Sequence, residues 1–214
     1  VSKGGTLDSN VSLDNGSALN AAAAEYTVGD ITAAADGNGT VTASAGATLT
    51  AGAIGDASGN AVASVKANNG ILNADSIATK ALTADNGIVK ATGSITVANA
   101  VTGLNNGLVY STTGDVTLTA GASNASGAIV ADEGNITATG QSILADAGES
   151  LTLAAKKGTI AAQNVTATNV QAKTLDASGD VTVSGGVLNT KDASSVGSLA
   201  LNNASGVVGE LTAG

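Results

Sequence analysis

The chain contains 214 residues with a net charge of −9, of which 43% are hydrophobic and 12% charged, and it has no Phe, Trp, Met, Cys, Pro, His or Arg. This combination of high hydrophobic content and low charge excludes a wholly disordered chain. The aromatic content of 1% predicts a thin core of small and branched aliphatic side chains. The missing His and Arg argue against an enzyme, and the missing Cys excludes disulfides and thiolate metal sites.

The charged residues argue against two kinds of partner. The lysines are dispersed along an acidic chain, with no basic run longer than Lys156-Lys157, so we expect no nucleic-acid binding. No stretch approaches the roughly 20 apolar residues of a membrane span, so we expect no membrane insertion. The chain starts at Val1 without a recognisable targeting segment, and we interpret it as a mature product or an excerpt of a longer protein.

Residues 1–27 match the pattern described below least well and are the candidate for an irregular or capping start. They include Ala21–Glu25, in which four successive alanines have good helix propensity. Two predictions stay open for this segment, a short helical turn or an extra-long loop.

From Gly29 onward a short motif returns, in which a glycine and a polar residue precede alternating aliphatic and polar positions. In Gly114–Leu118, for example, Val116 and Leu118 point one way while Asp115 and Thr117 point the other. This period of two, with β-branched residues, predicts a short strand at each copy. The copies are Gly29–Ala33, Gly93–Val97, Gly114–Leu118, Gly134–Ala138, Gly148–Leu153, Gly179–Val183 and Gly197–Leu201.

A second motif, a glycine close to two aliphatic residues, alternates with the first. Gly87, Gly107 and Gly127 follow one another at equal intervals of about 20 residues, and elsewhere the interval is a few residues shorter or longer. A period in this range is typical of solenoids, with corner loops of variable length between the strands. The aliphatic doublets are Ile71-Leu72, Ile88-Val89, Leu108-Val109, Ile129-Val130, Val187-Leu188 and Val207-Val208.

Five Asn-Gly dipeptides raise the alternative of antiparallel hairpins, for which they are the strongest local signal. However, the same motif returns at each period without a complementary partner, so like strands should stack on like strands. The dipeptides then supply the positive-φ residues of sharp corners. They are Asn15-Gly16, Asn38-Gly39, Asn69-Gly70, Asn86-Gly87 and Asn106-Gly107.

We therefore predict an all-β parallel β-helix, or β-solenoid, in which residues 1–214 form a single repeat array. At about 20 residues per coil it has roughly ten coils, and at ~4.8 Å between coils it is a rod about 50 Å long. The doublets pose a question, because neighbours in a flat strand face opposite sides. Either the chain bends there so that both side chains reach the interior, or a column of aliphatic side chains lies exposed along one face and requires covering by another chain. We favour the bend, since large apolar stripes are uncommon on soluble monomers.

No catalytic, cofactor-binding or metal-binding residue is predicted. Carboxylates suited to glycoside hydrolysis would meet only if Asp30, Asp115 or Asp180 stacked near Asp132 or Glu133, and solvated corner residues are the simpler interpretation. A Ser/Lys dyad stays open, but nothing singles out one of the many hydroxyls.

Other motifs are weak signals of binding. Gly52–Asp56 and Asp36–Gly39 are partial matches to calcium-binding loops, and we interpret both as turns. Tyr26 and Tyr110 make a poor aromatic platform for a glycan. Chance accounts for the N-x-S/T sequons in so Asn-rich a chain, at Asn10, Asn15, Asn38, Asn124, Asn135, Asn164 and Asn203. Ice binding by threonine pairs is a further hypothesis, at Thr40/Thr42, Thr48/Thr50, Thr117/Thr119, Thr137/Thr139 and Thr166/Thr168.

The motifs Gly-Asp-Val-Thr-Leu, Gly-Ser-Ile-Thr-Val and Asn-Gly-Ile-Val, repeated from about Val28 to Leu211, resemble the filamentous haemagglutinin class of bacterial exoproteins. The resemblance implies a right-handed parallel β-helix that is secreted across the outer membrane by a partner channel and acts as an adhesin or stalk. The class carries Asn-Pro-Asn motifs in its secretion domain, and this chain has no Pro. It would thus correspond to part of the repeat shaft.

The expected function is therefore a structural shaft of an extracellular bacterial adhesin or surface filament, which gives reach and resists proteases. The expected partners are flanking regions of a longer chain or further copies end to end, together with a host or cell-surface glycan or protein. The alternative is a solenoid module that binds glycan or ice through a flat Thr/Asn-rich face. A solenoid polysaccharide lyase ranks third, because dispersed lysines rarely form a basic groove.

Overall fold

In the part of the chain that the structure describes, the alternating segments form 26 strands, and every pairing between them is parallel. In this computed structural model the strands stack as a β-solenoid of about ten coils, roughly 20 residues apart, and the predicted architecture is confirmed. The structure describes residues 4–22, 24–195 and 197–213.

The strands are short where the chain turns sharply and long where it passes a corner without a break. In chain order they are β1 (Gly5–Leu7), β2 (Val11–Leu13), β3 (Ala18–Ala22), β4 (Glu25–Val28), β5 (Ile31–Ala33), β6 (Asn38–Ser44), β7 (Thr48–Thr50), β8 (Ala53–Ile54), β9 (Val62–Asn68), β10 (Ile71–Ala74), β11 (Ser76–Asp85), β12 (Ile88–Ala91), β13 (Ile95–Asn105), β14 (Gly107–Ser111), β15 (Val116–Leu118), β16 (Ala122–Ala125), β17 (Gly127–Ala131), β18 (Ile136–Ala138), β19 (Ile143–Ala145), β20 (Leu151–Ala162), β21 (Val165–Ala167), β22 (Asn169–Ala177), β23 (Val181–Ser184), β24 (Val187–Ser195), β25 (Leu199–Asn202) and β26 (Ser205–Ala213).

Each coil passes through three stacks of strands, which we call faces A, B and C. Face A contains β1, β4, β7, β10, β12, β14 and β17 and the first parts of β20, β22, β24 and β26. Face B contains β2, β5, β8, β15 and β18, the first parts of β11 and β13, and the second parts of β20, β22, β24 and β26. Face C contains β3, β6, β9, β16, β19, β21, β23 and β25 and the second parts of β11 and β13. Coils are numbered from the face A strand that begins each one, from coil 1 at β1 to coil 10 at β24, and β26 begins a last, partial coil.

The core consists of aliphatic columns in which each side chain lies over its counterpart in the next coil. This stacking removes apolar surface from water without large side chains, because every residue packs on two copies of its own kind. The face A column is Tyr26, Leu49, Leu72, Val89, Val109, Ile129, Leu153, Val170 and Leu188. The face B column includes Ile31, Ile54, Ile77, Ile95, Val116, Ile136, Ile160 and Leu175.

The expected bend at the aliphatic doublets is wrong. Leu72 is fully buried whereas Ile71 is 37% exposed, and Val89 is buried whereas Ile88 is only partly so. The strand stays extended through each doublet, so neighbouring side chains face opposite sides of the sheet. An outward column of Ile71, Ile88, Leu108 and Ala128 therefore lies on face A. The side chain of Val207 lies outside the described ones.

The segment Ala21–Glu25 is neither the helical turn nor the extra-long loop that its composition suggested. Strand β3 continues to Ala22 and β4 begins at Glu25, while Ala23 lies outside the described residues. Ala21 is buried and pairs with Ala43, which pairs in turn with Ala67. Helix propensity is a weak preference, and here strand pairing with the next coil overrides it. Residues 5–22 thus already contain three strands, which pair with β4, β5 and β6.

The Asn-Gly dipeptides form corners rather than hairpins. Asn69, Asn86 and Asn106 adopt φ values of 53°, 47° and 49° at the corner between faces C and A. At Asn15-Gly16 and Asn38-Gly39 the positive φ belongs to the glycine instead. In both cases the flanking strands pair with neighbouring coils and not with each other, so the left-handed residue redirects the chain into the next face.

The alternation within one strand predicts unequal costs for two neighbouring substitutions. Ile129→Ala should lower the free energy of unfolding by about 2–5 kcal/mol, because Ile129 is fully buried in the face A column. Val130→Ala, one residue further along β17 and pointing outward, should cost less than about 1 kcal/mol. Urea unfolding followed by circular dichroism measures both, and equal losses would contradict the assigned facing of this strand.

Candidate functional site

The polar residues at the corner between faces A and B form a ladder along the rod. The Asn10 Oδ1 accepts a hydrogen bond from the Asp30 backbone N at 2.9 Å, and the Asp30 Oδ1 accepts one from the Ala53 N at 2.9 Å. Further along, the Asp115 Oδ1 accepts from the backbone N of Asn135 at 2.7 Å. Each side chain thereby satisfies a backbone donor of the next coil at a corner.

A second ladder follows the corner between faces B and C. The Asn164 Oδ1 accepts from the Asp180 N at 2.8 Å, and the Asp180 Oδ1 accepts from both the backbone N and the hydroxyl of Ser198, at 2.7 and 3.0 Å. The two hydrogen bonds from Ser198 hold the pKa of the Asp180 carboxyl below its ordinary value. Asn10, Asn135 and Asn164 are also sequon asparagines, and in each the amide oxygen is part of a ladder.

These ladders explain the glycine that precedes the polar residue of the repeated motif. A Cβ on Gly179 would lie 2.3 Å from the Asn164 Oδ1, and a Cβ on Gly29 would lie 2.4 Å from the Asn10 Oδ1. The glycine is therefore required for close approach, since the acceptor of the previous coil occupies the space of a side chain. The sequence shows the glycine as a recurring position but not the close approach, which only the stacking register determines.

The ladders also separate the carboxylates that were considered as catalytic pairs. Asp30, Asp115 and Asp180 bond to the backbone of the next coil, as described above. Asp132 and Glu133 instead pair with lysines, so the structure directs none of these five carboxylates at another one.

The partial calcium motifs are only in part the turns that we expected, because Asp36–Gly39 runs from a turn into β6 and Gly52–Asp56 contains strand β8. The carboxylates of both motifs already have partners. The Asp36 Oδ2 lies 2.6 Å from the Lys80 Nζ, two coils away, and this hydrogen bond holds the pKa of Asp36 below its ordinary value. The Asp56 Oδ1 accepts from the backbone N and the hydroxyl of Ser58, both at 2.8 Å. Among the described residues, no group of three or more Asp or Glu side chains is arranged to hold a metal ion.

Four side chains at the centre of the rod join four successive coils, and we call them the clamp. The Lys90 Nζ of coil 5 lies 5.3 Å from the Tyr110 ring centroid in coil 6, within the range of a cation–π contact. The Tyr110 hydroxyl donates a hydrogen bond to the Asp132 carboxylate in coil 7. The Asp132 Oδ1 lies 2.7 Å from the Lys156 Nζ in coil 8, so the interactions are continuous along the axis.

The interactions of the clamp shift the pKa values of three of its side chains. The hydrogen bond from Lys156, and then that from Tyr110, hold the pKa of Asp132 below its ordinary value. The bond to Asp132, and then burial, raise the pKa of Tyr110, while the same carboxylate raises the pKa of Lys156. A lowered carboxyl pKa contributes stability that is lost as the pH falls, and a raised tyrosine pKa contributes stability that is lost as the pH rises.

The features proposed for glycan or ice binding do not share one surface. Tyr26 is 4% exposed and its hydroxyl donates to the Ala22 carbonyl at 3.0 Å, so it belongs to the core and not to a platform with Tyr110. The threonine pairs lie on different parts of the rod: Thr40/Thr42 on face C, Thr48/Thr50 on face A, Thr117 and Thr137 in register on face B, Thr119 and Thr139 in turns, and Thr166 on face C.

Comparison with known proteins yields no match, whether to a family model, to a curated protein or to a solved structure. Within residues 4–22, 24–195 and 197–213, no helix is long and apolar enough to cross a membrane. The architecture thus defines the protein as a parallel β-solenoid, and its function is inferred from its core and its surfaces.

The close approach at Gly179 predicts that substitutions at Gly179 and Asn164 have coupled effects on the stability of the protein. Gly179→Ala should destabilise the protein by about 1–3 kcal/mol, because its methyl group would overlap the Asn164 Oδ1. In an Asn164→Ala background, the same substitution should cost less, since the overlapping oxygen is gone. Thermal unfolding of the two single variants and the double variant measures this coupling, and strictly additive losses would refute it.

The clamp predicts a pH dependence. The difference in free energy of unfolding between the wild type and Asp132→Asn should be constant between about pH 5 and pH 9. It should shrink below about pH 4, where Asp132 is protonated in the unfolded chain. It should also shrink above about pH 10, where Tyr110 and Lys156 lose their protons first in the unfolded chain and, at higher pH, in the folded protein. Urea unfolding across this range tests it, with Asp14→Asn at an exposed position as control. If this difference does not vary with pH, the charges of the clamp contribute nothing to the free energy of unfolding.

Proposed function

We propose that this chain is a shaft segment of an extracellular bacterial adhesin or surface filament. It holds a functional tip or a neighbouring domain away from the cell surface and supplies rigidity. The resemblance of its repeats to those of filamentous haemagglutinin exoproteins motivates the cellular setting. The observation that carries the proposal is the uninterrupted register of the face A column from Tyr26 in coil 2 to Leu188 in coil 10.

Continuous register supports a mechanical function because each coil is stabilised mainly by its two neighbours. Reach then grows by ~4.8 Å with each coil of about 20 residues, while the cross-section stays constant. The corner ladders add a hydrogen bond between coils at points where the strand pairing is interrupted. Bending or separating two coils would therefore break backbone and side-chain bonds together.

The placement of the lysines supports durability outside the cell. Each of the lysines in the described residues lies within a strand that pairs with a coil on either side: Lys66, Lys80, Lys90, Lys156, Lys157, Lys173 and Lys191. Trypsin binds its substrates in an extended conformation and needs local unfolding, so cleavage at these sites requires at least one coil to open. Lys156 and Lys157 are held further by ion pairs with Asp132 and Glu133, at 2.7 Å each.

The folded chain should therefore survive trypsin far longer than the same chain unfolded in urea. Ala147→Lys provides a matched positive control, because it adds a lysine to the exposed turn between β19 and β20. This variant should be cut once, near residue 147, and otherwise stay intact. Gel electrophoresis and mass spectrometry follow both reactions. Rapid digestion of the wild type to small peptides would contradict a protease-resistant shaft.

The cellular part of the proposal is tested on intact cells of the producing organism. Antibodies against residues 4–213 should label thin filaments at the cell surface in electron micrographs, and the labelling should persist after trypsin treatment. Labelling that requires permeabilised cells would overturn the extracellular location. Labelling at the surface without extended structures would overturn the shaft function.

A further inference from the structure

Face A differs from the other two faces in what it presents to solvent. One outward column runs through Thr48, Ile71, Ile88, Leu108, Ala128 and Thr152. The column beside it runs through Thr50, Asn73, Lys90, Tyr110 and Val130 and ends at Ala154, which is buried. We call the outward Ile71, Ile88, Leu108, Ala128, Tyr110 and Val130 the central patch. On face B the corresponding column over the same coils begins at Ala78, which is buried, and presents Thr96, Thr117 and Thr137 to solvent.

Face A is also nearly free of charge, although the chain carries a net charge of −9. Between Thr48 in coil 3 and Thr190 in coil 10, the residues that pair on face A include Lys90 as their single charged residue. In the last coils, lysines follow directly where the chain leaves face A, at Lys156, Lys173 and Lys191. The acidic residues lie instead at corners, in loops and on the other faces. Depletion of charge at a centre that contains aromatic and aliphatic residues, surrounded by polar ones, is the composition of a protein interface.

We propose that two copies of this chain pair through face A, with their rods antiparallel. The two-fold axis lies in the plane between the rods, perpendicular to their length, and crosses between coils 5 and 6. This arrangement places Ile88 of one copy opposite Leu108 of the other, and Ile71 opposite Ala128. It also places Lys90 opposite the Tyr110 ring of the other copy, so that neither ammonium group faces its own counterpart.

The dimensions of face A suit a second copy. Ten coils at ~4.8 Å and strands of four to five residues at ~3.3 Å give a flat surface of about 50 by 15 Å. Pairing would remove roughly 700 Å² from each copy, or about 1,400 Å² in all, which is within the range of specific interfaces. The central patch forms the apolar core of this area, and Thr48 and Thr152 begin its polar rims. The two surfaces are rigid before they meet, so little ordering accompanies association.

The antiparallel pair also limits repulsion between two acidic rods. The strand segments of face A contribute no carboxylate from coil 3 to coil 10. Asp132, which bonds to Tyr110 at the edge of the central patch, is neutralised by its ion pair with Lys156, and the remaining acidic residues lie further from the interface. Their residual repulsion acts through solvent and is screened by salt. Association should therefore strengthen as the ionic strength rises.

Sedimentation velocity over a range of concentrations measures the pairing of the full chain. The wild type should shift from its monomer mass of 20.1 kDa to twice that mass, at lower concentration in high salt than in low salt. Leu108→Lys, which places a charge in the central patch, should raise the dissociation constant at least about tenfold. Thr117→Lys, at an outward position of the same coil on face B, should pair like the wild type, and circular dichroism verifies that both variants fold. A wild type that stays monomeric, or equal weakening by both variants, would overturn the pairing and leave the shaft function standing.

Spin labels distinguish the antiparallel pair from other assemblies. Because the chain has no native Cys, Thr50→Cys in coil 3 and Asn189→Cys in coil 10 each provide one labelling site. In the proposed dimer, two labels at position 50 lie about 25 Å apart and two labels at position 189 about 45 Å apart, from the coil spacing. Parallel side-by-side rods and head-to-tail rods would each give nearly equal separations at the two positions. Equal separations would therefore overturn the antiparallel arrangement.

Discussion

Backbone hydrogen bonds between successive coils hold every described strand of this protein in parallel register, and the other features of the molecule follow from that constraint. A coil can pair with its neighbours only if its strands start at the same points along each face. The number of residues in a coil varies along the chain. Fewer residues separate Leu72 from its partner Val89 than separate Ile129 from its partner Leu153. The extra residues must leave the rod at corners, so variation is confined to loops while the core columns continue.

Register also determines which residue types fit. A core that places aliphatic side chains on their own copies needs neither large rings nor varied shapes, which accounts for a chain that is almost free of aromatic residues. At the corners, an Asp or Asn accepts a hydrogen bond from the coil above, and a glycine there leaves space for the accepting oxygen, as at Asn164 and Gly179. The repeated polar residue and glycine thus act together across two coils: the polar residue of one coil accepts the hydrogen bond, and the glycine of the next coil leaves space for the accepting oxygen.

The same register also arranges the outward side chains of the rod in columns. Each face presents parallel columns of side chains at a fixed spacing, so a run of similar residues becomes a continuous stripe of uniform character. Face B presents mainly hydroxyl groups, whereas the centre of face A presents Ile88, Leu108 and Tyr110. The rigidity of the rod depends on its core and ladders, and the outward residues of face A are therefore available for contacts with other molecules.

The amino-acid sequence by itself determined the strands, their alternation and their parallel stacking, because the period of two and the motif that returns once per coil are both visible along the chain. Two local predictions from it were wrong: strand pairing replaced the helix or loop at Ala21–Glu25, and an extended strand replaced the bend at Ile71-Leu72. Only the tertiary structure decided which distant side chains meet. Tyr110, Asp132 and Lys156 belong to three successive coils, and they come together because the length of every intervening corner sets how the coils align.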